Sequence, residues 1–446
     1  MVIGSDAGGM SAAAQARRRR DRDQLEIVAF DRGRYTSWSA CGIPYFVGGL
    51  VDNADSLIAR TPAEFRASGI DVALEHEVLG IDTSRRVLHV RGPDGKRDEP
   101  FDQLVIATGS VPVRPDLPGS HAAGIFGIHT IDDGHVVRAA VDAGARRAVV
   151  VGGGYIGLEM AEALHRRGLQ VSVVDRALQP MKTLDVEMGA LVADGMRALG
   201  IELHLNVVVE SFASGADGEV TAVNTDAGIF PADIVILGLG VKPASQLAAE
   251  AGITVGESGG IVTDARMETS VEGIWAAGDC VEVFHRISRK GVSVALGTHA
   301  NKQGRVVGVN ATGGSRTFPG VIGTAVTKLC EQEVARTGLT EREAHEAGFI
   351  SVAETIVSTT RAGYYPGSTP ITVKIVAEEL TGRMLGAQVI GREGAAKRID
   401  MLAVAIWNEM TAEEFAQADI GYAPPFSPVF DPVLVAAHRV AVKIGR

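Results

Sequence analysis

Two glycine-rich loops, 148 residues apart, constrain the fold of this chain more than any other feature. The first runs from Gly4 to Gly9 and the second from Gly152 to Gly157. Each follows an apolar strand and opens a helix, and each helix leads to a second strand that closes on an acid, Asp31 or Asp175. This order is typical of a dinucleotide-binding α/β unit. After the first loop, we predict a helix over Met10–Arg20 and a strand over Leu25–Phe30. Around the second loop, we predict a strand over Ala148–Val151, a helix that ends at Arg167 and a strand over Gln170–Val174.

The loops predict two bound dinucleotides, for which a flavin and a nicotinamide are the economical pair. Glycines permit a tight turn and a close approach of pyrophosphate to the helix N-terminus, and the acid accepts hydrogen bonds from ribose hydroxyls. Asp6 replaces the middle glycine of the first loop, and only three residues precede Gly4, so we expect a clipped first strand or a late start. The residues predicted to bind at the loops are Gly4, Ala7, Gly8, Gly9, Asp31, Arg32, Gly152, Gly154, Ile156, Gly157 and Asp175.

Two later segments support the flavin. Leu104–Gly109 and Ile274–Asp279 each form a buried strand pattern that ends in a turn of small residues. Such turns let the backbone approach a cofactor, so Thr108, Gly109 and Gly278 are predicted contacts. Asp279 is expected to accept a hydrogen bond from a ribityl hydroxyl, to cap the N-terminus of a helix, or to do both.

Changes in composition divide the chain. Pro112–Pro118 forms a proline-rich exit from the first unit, Gly238–Pro243 returns the chain to it, and the composition shifts again near Val321. We predict an α/β protein with two Rossmann-like domains and a C-terminal α+β domain. The predicted bounds are 1–112 with 243–320 for the first, 113–242 for the second and 321–446 for the third; within the third, Ile371–Val376 and Leu385–Ile390 are strand-like and Ala395–Glu409 is helix-like.

The segment Tyr35–Tyr45 carries the candidate reactive group, Cys41. Small neighbours would let a flat ring approach the sulfur, and Gly42 with Pro44 bends the chain locally. A helix that starts here would favour the thiolate through its free N–H groups. The alternative is a buried structural cysteine, the role expected of Cys280 and Cys330.

Composition excludes several classes of function. A net charge of −11 argues against nucleic acid as a general partner, and no run of about 18 apolar residues is present for a membrane helix. The three cysteines are too widely spaced for a disulfide framework or a zinc site, and no metal site is expected. The first residues enter a strand directly, without a signal-peptide pattern, so we expect a cytoplasmic protein.

With these motifs, the chain resembles the flavoprotein disulfide reductases, and within them the single-cysteine branch of coenzyme A disulfide reductases, CoA-persulfide reductases and NADH oxidases. It has no Cys-x4-Cys pair at Cys41, and Tyr422–Pro425 occupies the place of the His-Pro…Glu acid of glutathione-reductase-like enzymes. The resemblance spans essentially the whole chain, and the segments that carry it are Ser37–Tyr45, Thr61–Phe65, Ala276–Asp279, Ala362–Gly367 and Gly421–Ser427.

The resemblance implies FAD, NADH with NADPH as an alternative, and CoA as substrate or bound ligand. Cys41 would be the catalytic thiol, and Tyr364 and Tyr422, 58 residues apart, would act with it. Peroxidases and water-forming oxidases usually carry histidine where this chain has Ala7. Ala40 is a departure in the other direction, because the CoA enzymes have asparagine before the cysteine.

Further roles are carried over from the family position by position. Gln15, Arg18 and Ser37 match CoA-contacting positions, and Arg17–Arg20 with Arg22 would form a phosphate clamp or a solvated basic end of a helix. Tyr155 resembles the side chain that covers the flavin, and Glu159 the carboxylate near the nicotinamide. Enzymes of this family are homodimers in which the C-terminal domain closes the partner's active site. The resemblance therefore implies a homodimer with shared active sites.

Three functions stay open at this point. The first is reduction of CoA disulfide, CoA persulfide or a related disulfide or polysulfide with electrons from NAD(P)H. The second is an NADH oxidase in which Cys41 cycles through sulfenic acid. The third is an electron-transfer flavoprotein or redox sensor without small-molecule turnover.

Overall fold

The computed structural model describes residues 1–445 and contains two parallel sheets that share the order of four strands and differ in the chain position of the fifth. The first has the strand order β19-β7-β1-β2-β3 and the second β12-β11-β10-β16-β9, and every pairing in both is parallel. The first sheet comprises β1 (Val2–Ile3), β2 (Val28–Phe30), β3 (Asp71–Ala73), β7 (Leu104–Ile106) and β19 (Ile274–Ala276). The second comprises β9 (Ile125–Gly127), β10 (Arg147–Val151), β11 (Gln170–Asp175), β12 (Glu202–Leu205) and β16 (Ile234–Leu237).

Each parallel sheet is accompanied by a small antiparallel sheet, which is inserted between the third and fourth strands of the first sheet and between the fourth and fifth strands of the second, counted in chain order. These are β4 (Glu77–Asp82), β5 (Val87–Gly92) and β6 (Gly95–Pro100) for the first, and β13 (Val209–Ser214), β14 (Val220–Thr225) and β15 (Gly228–Pro231) for the second. The chain leaves the first unit and returns to it through two strands that pair with each other. These are β8 (Ser110–Pro112) and β17 (Val241–Pro243), and they are antiparallel. A further small sheet contains β18 (Ile261–Val262), β20 (Val281–Phe284) and β21 (Gly291–Val292).

The C-terminal part is built on an antiparallel sheet of order β22-β23-β26-β25-β24. Its central strands are almost fully buried, and they hold the polar side chains Arg336, Lys374 and Gln388 among apolar residues. The strands of this sheet are β22 (Ala325–Leu329), β23 (Gln332–Gly338), β24 (Ser351–Thr359), β25 (Pro370–Glu378) and β26 (Met384–Gly391). The predicted strands correspond to β25 and β26, and the predicted helix to Ala395–Trp407.

The helices cover the sheets and begin at recognisable signals. Thr61, Thr130, Thr340 and Thr411 each form a capping box with the acid three residues later. The helices are α1 (Ala7–Arg17), α2 (Ile43–Val47), α3 (Pro62–Ala67), α4 (Ile131–Asp142), α5 (Tyr155–Arg166), α6 (Val186–Ala198), α7 (Gln246–Glu250), α8 (Gly297–Asn310), α9 (Glu341–Glu346), α10 (Ala395–Trp407), α11 (Ala412–Ala416) and α12 (Pro432–Ile444).

The first unit departs from its predicted bounds. Helix α1 begins at Ala7, three residues before the predicted start, because Asp6 already has the extended backbone of an N-cap residue. It ends at Arg17, and residues that follow form turns. Strand β2 begins only at Val28, so Leu25 lies outside it, and β1 contains two residues.

Candidate active site

The glycines of the first loop are required by close backbone contacts. Gly4 has φ +97°, and a Cβ there would lie 2.1 Å from the carbonyl oxygen of Ala107. A Cβ at Gly9 would lie 2.0 Å from the oxygen of Gly4, and one at Gly8 would lie 3.0 Å from that of Ala277. The loop is therefore drawn tightly against the ends of β7 and β19, and α1 starts directly behind it at Ala7.

The second loop repeats this geometry. Gly152 has φ +104°, and its added Cβ would lie 2.5 Å from the oxygen of Gly238. A Cβ at Gly157 would lie 2.0 Å from the oxygen of Gly152. Gly154 is the N-cap of α5 and has open space around it, with Ile156 in the first turn. Both loops therefore present a helix N-terminus, which favours a pyrophosphate, and the second loop has open space at its N-cap.

The two acids hold their loops in the same way. Asp31 Oδ2 accepts hydrogen bonds from the Ser5 N–H at 2.7 Å and the Ser5 hydroxyl at 3.0 Å. Asp175 Oδ2 accepts from the Gly153 N–H at 2.5 Å. A carboxylate has about four acceptor positions, so both retain capacity for ribose hydroxyls. Arg32, which follows Asp31, is exposed.

Small residues surround the ends of β7 and β19 as predicted. The Thr108 hydroxyl donates to the Ala244 oxygen at 2.6 Å, and Gly109 has φ +70° with nothing near its Cβ position. Gly278 also has a positive φ, +92°. The tight cradle at Gly4, Gly8 and Gly9, the open turn at Gly109 and the two loop acids fit FAD and a pyridine nucleotide.

Asp279 follows β19 and lies close to Asp6 of the first glycine loop. Its Oδ2 accepts a hydrogen bond from the Ser110 hydroxyl at 3.2 Å. Burial raises the pKa of Asp279, while the Ser110 bond and the nearby His129 lower it. The side chain thus contacts a neighbouring strand and stays close to the glycine loop.

Cys41 lies at the junction of the two units. It occupies the 3-10 turn Ala40–Gly42, after which α2 packs against the second unit. Arg138 and Arg167 donate to carbonyl oxygens of α2, those of Phe46 at 3.2 Å and Val47 at 3.0 Å. The cysteine is exposed, which excludes the buried structural role.

The electrostatics at Cys41 contradict the expectation of a favoured thiolate. Desolvation in the cleft raises the pKa of the thiol, and the carboxylates of Glu159, Asp279 and Asp6 raise it further. A backbone N–H lowers it, but three acids outweigh this contribution. The helix after Cys41 has only five residues, so its end supplies little positive potential.

Glu159 is held by the C-terminal sheet. The Thr327 hydroxyl donates to its Oε1 at 2.6 Å. Burial raises the pKa of Glu159, and the Thr327 bond lowers it. Tyr155, one turn earlier on α5, is half-buried, and burial raises its pKa as well. No sequence motif indicated Thr327.

Most of the arginine run is structural, which corrects the idea of a five-residue phosphate clamp. Four of the five side chains donate to oxygens of the protein: Arg17 to Gly69 and Leu25, Arg19 and Arg20 to Thr312, and Arg22 to Arg66 and Ala67. Arg18 differs, because it is exposed and its bond is to the side chain of Gln15 at 3.4 Å. Ser37, the third CoA candidate, has the rare φ of +48° beside Cys41.

Tyr364 and Tyr422 lie together on two joined loops. Their exposed fractions are 79% and 48%, and partial desolvation, then the charge and hydroxyl of Tyr364, raise the pKa of Tyr422. The buried Arg398, which sequence reasoning missed, donates to carbonyl oxygens of both loops, Thr360 and Phe426, at 2.9 Å each. Tyr364 lies in a turn.

The remaining cysteines differ from each other. Cys280 is fully buried, as expected of a packing residue. Cys330 is half-buried in the turn between β22 and β23, with φ +58°, so it does not pack in a core. Burial and Glu162 raise its pKa to about 12.

Comparison with known proteins identifies the fold family. Residues 1–304 match the pyridine nucleotide-disulphide oxidoreductases, and residues 324–433 match the dimerisation domain of the same family. This chain belongs to the pyridine nucleotide-disulphide oxidoreductase family. The predicted fold class and the predicted homodimer are thereby confirmed, as are FAD and NAD(P)H as the cofactors.

Similar proteins of this family have related names. The chain is 37% identical to the NAD(P)H coenzyme A polysulfide/persulfide reductase of Pyrococcus horikoshii over 443 residues, 98% of this chain and 97% of the other. It is 35% identical to an NADH oxidase of Methanocaldococcus jannaschii over 449 residues, 100% of this chain and 99% of that one. An NAD-dependent persulfide reductase structure from A. fulgidus has a TM-score of 0.96 at 38% identity, covering 99% of this chain and 83% of the other.

In the described part of this oxidoreductase, no helix is long and apolar enough to cross a membrane.

Proposed function

We propose that this oxidoreductase transfers electrons from NAD(P)H through FAD to CoA persulfide, CoA disulfide or a related small disulfide or polysulfide, with Cys41 as the reacting thiol. The observation that carries the proposal is the exposed Cys41, placed between two glycine loops of matching geometry. The names of the relatives from Pyrococcus horikoshii and A. fulgidus support this class of substrate.

The cofactors would occupy the two repeated units. FAD would bind the first loop with Asp31, Gly109 and Asp279, on 1–112 with 243–320. NAD(P)H would bind the second loop with Asp175, on 113–242, and 321–446 would carry the dimer contact. Bound FAD supplies two electrons, taken as hydride from the pyridine nucleotide, that return the cysteine to its reduced form.

The chemistry of this chain's own residues is thiol–disulfide exchange. The Cys41 thiolate attacks one sulfur of R–S–S–R′, a Cys41–S–S–R bond forms, and R′–S⁻ leaves and takes a proton. Two electrons then cleave the mixed disulfide into the Cys41 thiolate and R–S⁻. A group that donates a proton to the departing R′–S⁻ would assist the step, because the leaving sulfur then departs as a neutral thiol. We assign this role to Tyr364 and Tyr422.

The two tyrosines would serve the partner subunit. The groups that shift the pKa of Cys41 are Glu159, Asp279 and Asp6, whereas the neighbour that shifts the pKa of Tyr422 is Tyr364. Thiol and tyrosines thus form two clusters in one chain, and the exposed tyrosine cluster is available to a second copy. Gln15, Arg18 and Ser37 would contact CoA on the Cys41 side.

Replacing Cys41 by serine tests the proposal. The variant should retain FAD and its reduction by NADH, but lose turnover of CoA disulfide, CoA persulfide and polysulfide. Cys330→Ser is the matched control, because Cys330 is also partly accessible but lies in a hairpin turn. Full thiol-reductase activity in Cys41→Ser would falsify the assignment.

An NADH oxidase is the second candidate, favoured by the relative of that name from Methanocaldococcus jannaschii. Ala7 at the start of α1 speaks against it, since it offers no acid to assist cleavage of an O–O bond. Oxygen uptake that exceeds thiol production under air would support the oxidase. A cytoplasmic location stays a prediction, which cell fractionation would check.

A further inference from the structure

Three hydrogen bonds join the first glycine loop to the segment that carries Cys41. The Ser5 carbonyl oxygen accepts from the Thr36 hydroxyl at 2.6 Å and from the Ser37 N–H at 3.0 Å. Asp6 Oδ1 accepts from the Trp38 N–H at 3.1 Å. The third bond depends on a side chain that a glycine at this position would lack.

The second loop has glycine, Gly154, at the position that Asp6 occupies in the first loop, and this glycine leaves space at the helix N-terminus. Asp6 is the N-cap of α1 and Gly154 the N-cap of α5, and neither caps its helix through a side chain. A Cβ added to Gly154 would meet no atom closer than 3.9 Å. In the first loop the corresponding space holds the Asp6 carboxylate, beside a helix N-terminus where a pyrophosphate is expected.

The surroundings of Asp6 oppose a negative charge. Asp31 after β2 and Asp279 after β19 both raise its pKa, and the Cys41 thiol faces it from the 3-10 turn. Burial is the largest cause, and bonds from the Trp38 and Ala7 N–H groups lower the pKa in part. The result is a pKa of about 6.

We propose that Asp6 is a positioning residue that holds the Cys41 segment on the glycine loop and takes up a proton when FAD binds. The inference rests on the proposed function, in which FAD occupies this loop. The pyrophosphate adds negative charge near Asp6, so the bound state favours the neutral carboxylic acid, which still accepts from Trp38. Above about pH 6 the free protein has lost this proton. Binding then requires proton uptake from solvent, and affinity falls as pH rises.

The first test uses release of FAD and needs no turnover. The holoenzyme is diluted at pH values from about 5.5 to 8.5, and flavin fluorescence gives the dissociation constant of FAD. For the natural chain we expect that constant to rise roughly tenfold or more across this range. In Asp6→Asn the rise should disappear, because the asparagine side chain does not titrate. An equal slope in Asp6→Asn would overturn the proton coupling.

The second test measures the position of the Cys41 segment by hydrogen exchange. Asp6→Asn keeps an acceptor for the Trp38 N–H. Asp6→Ala removes that acceptor but retains the Cβ. Exchange in the peptide that contains Trp38 should quicken about tenfold in Asp6→Ala and stay unchanged in Asp6→Asn. Unchanged exchange in Asp6→Ala would overturn the positioning role. If the natural chain bound no FAD, the proposed function would fail first, and this inference with it.

Discussion

The Thr327 hydroxyl of the C-terminal sheet donates a 2.6 Å hydrogen bond to the Glu159 carboxylate on α5. Three residues later on the same helix face, Glu162 accepts the Cys330 N–H at 2.8 Å. Two carboxylates one turn apart repel each other, and each is offset here by one donor from the β22–β23 hairpin. The C-terminal sheet thereby controls the charge next to Cys41.

Removing the Thr327 hydroxyl should shift the ionisation of Glu159. The bond lowers the pKa of Glu159, so Thr327→Val should raise it further, and the carboxylate would ionise at higher pH. We expect the acidic limb of the pH profile for NADH-dependent FAD reduction to move to higher pH. The variant should also lose about 1–2 kcal/mol of stability, because a partly buried carboxylate loses its donor.

Thr327→Ser separates this effect from packing. Serine restores the donor without the methyl group, so its pH profile should coincide with that of the natural protein. A profile shifted equally in Thr327→Ser and Thr327→Val would assign the effect to the methyl group and contradict the hydrogen-bond argument.

Mixed dimers should show whether each active site uses two chains. Cys41→Ser is combined with Tyr364→Phe/Tyr422→Phe, and each parent homodimer should be impaired. If the tyrosines serve the partner, the heterodimer has one intact site, and activity should recover to about half per dimer. Mass spectrometry checks subunit exchange, and exchange without recovery would place the tyrosines in cis or outside the chemistry.

Asp175 should favour NADH over NADPH. Its carboxylate stands where a ribose 2′-hydroxyl would bond and a 2′-phosphate would be repelled. Asparagine has one side-chain oxygen, so Asp175→Asn keeps an acceptor for one of the N–H groups of Gly153 and Ala177 while it removes the charge. We expect the ratio of kcat/KM for NADH to that for NADPH to fall about tenfold. A natural enzyme that already prefers NADPH, helped by the adjacent Arg176, would contradict this prediction.

Lys374 should be essential for stability. Its ammonium is buried and pairs with Asp185 at 3.0 Å and with Glu187 and Glu341. The ammonium sits among three carboxylates close enough to hold a metal ion, so the group is an ion-pair network between α6 and the C-terminal sheet. Lys374→Met would leave Asp185 buried without its cation and should cost about 3 kcal/mol.

Lys397→Met is the comparison, since Lys397 pairs with Asp400 on the surface. Its loss should cost less than about 0.5 kcal/mol. Denaturant unfolding of FAD-loaded protein measures both variants. Equal costs would show that burial does not determine the contribution of Lys374.

The parts predictable from sequence are those in which function follows from a local pattern. The glycines at Gly4 and Gly152 are readable because a positive φ and a close carbonyl oxygen exclude other residues. The two acids follow directly from their strands, and β25 and β26 from segments rich in apolar and β-branched residues. The bounds of α1 were less accurate, because Asp6 begins the helix earlier than the alanine-rich stretch suggested.

The sequence by itself determined the two dinucleotide-binding units, the candidate cysteine segment and the family, since each depends on motifs of residues close together in the chain. The tertiary structure decided the charges and partners. The arginine run is mostly structural because oxygen atoms of other segments accept its hydrogen bonds. The thiolate of Cys41 is disfavoured because burial raises the pKa of the thiol, and Glu159 and Asp279, which come from other elements, raise it further. In the sequence, Asp6 is a departure from the glycine motif. In the fold, its carboxylate accepts a hydrogen bond from the Trp38 N–H. Such contacts act across space between residues far apart in the chain, so no local pattern could reveal them.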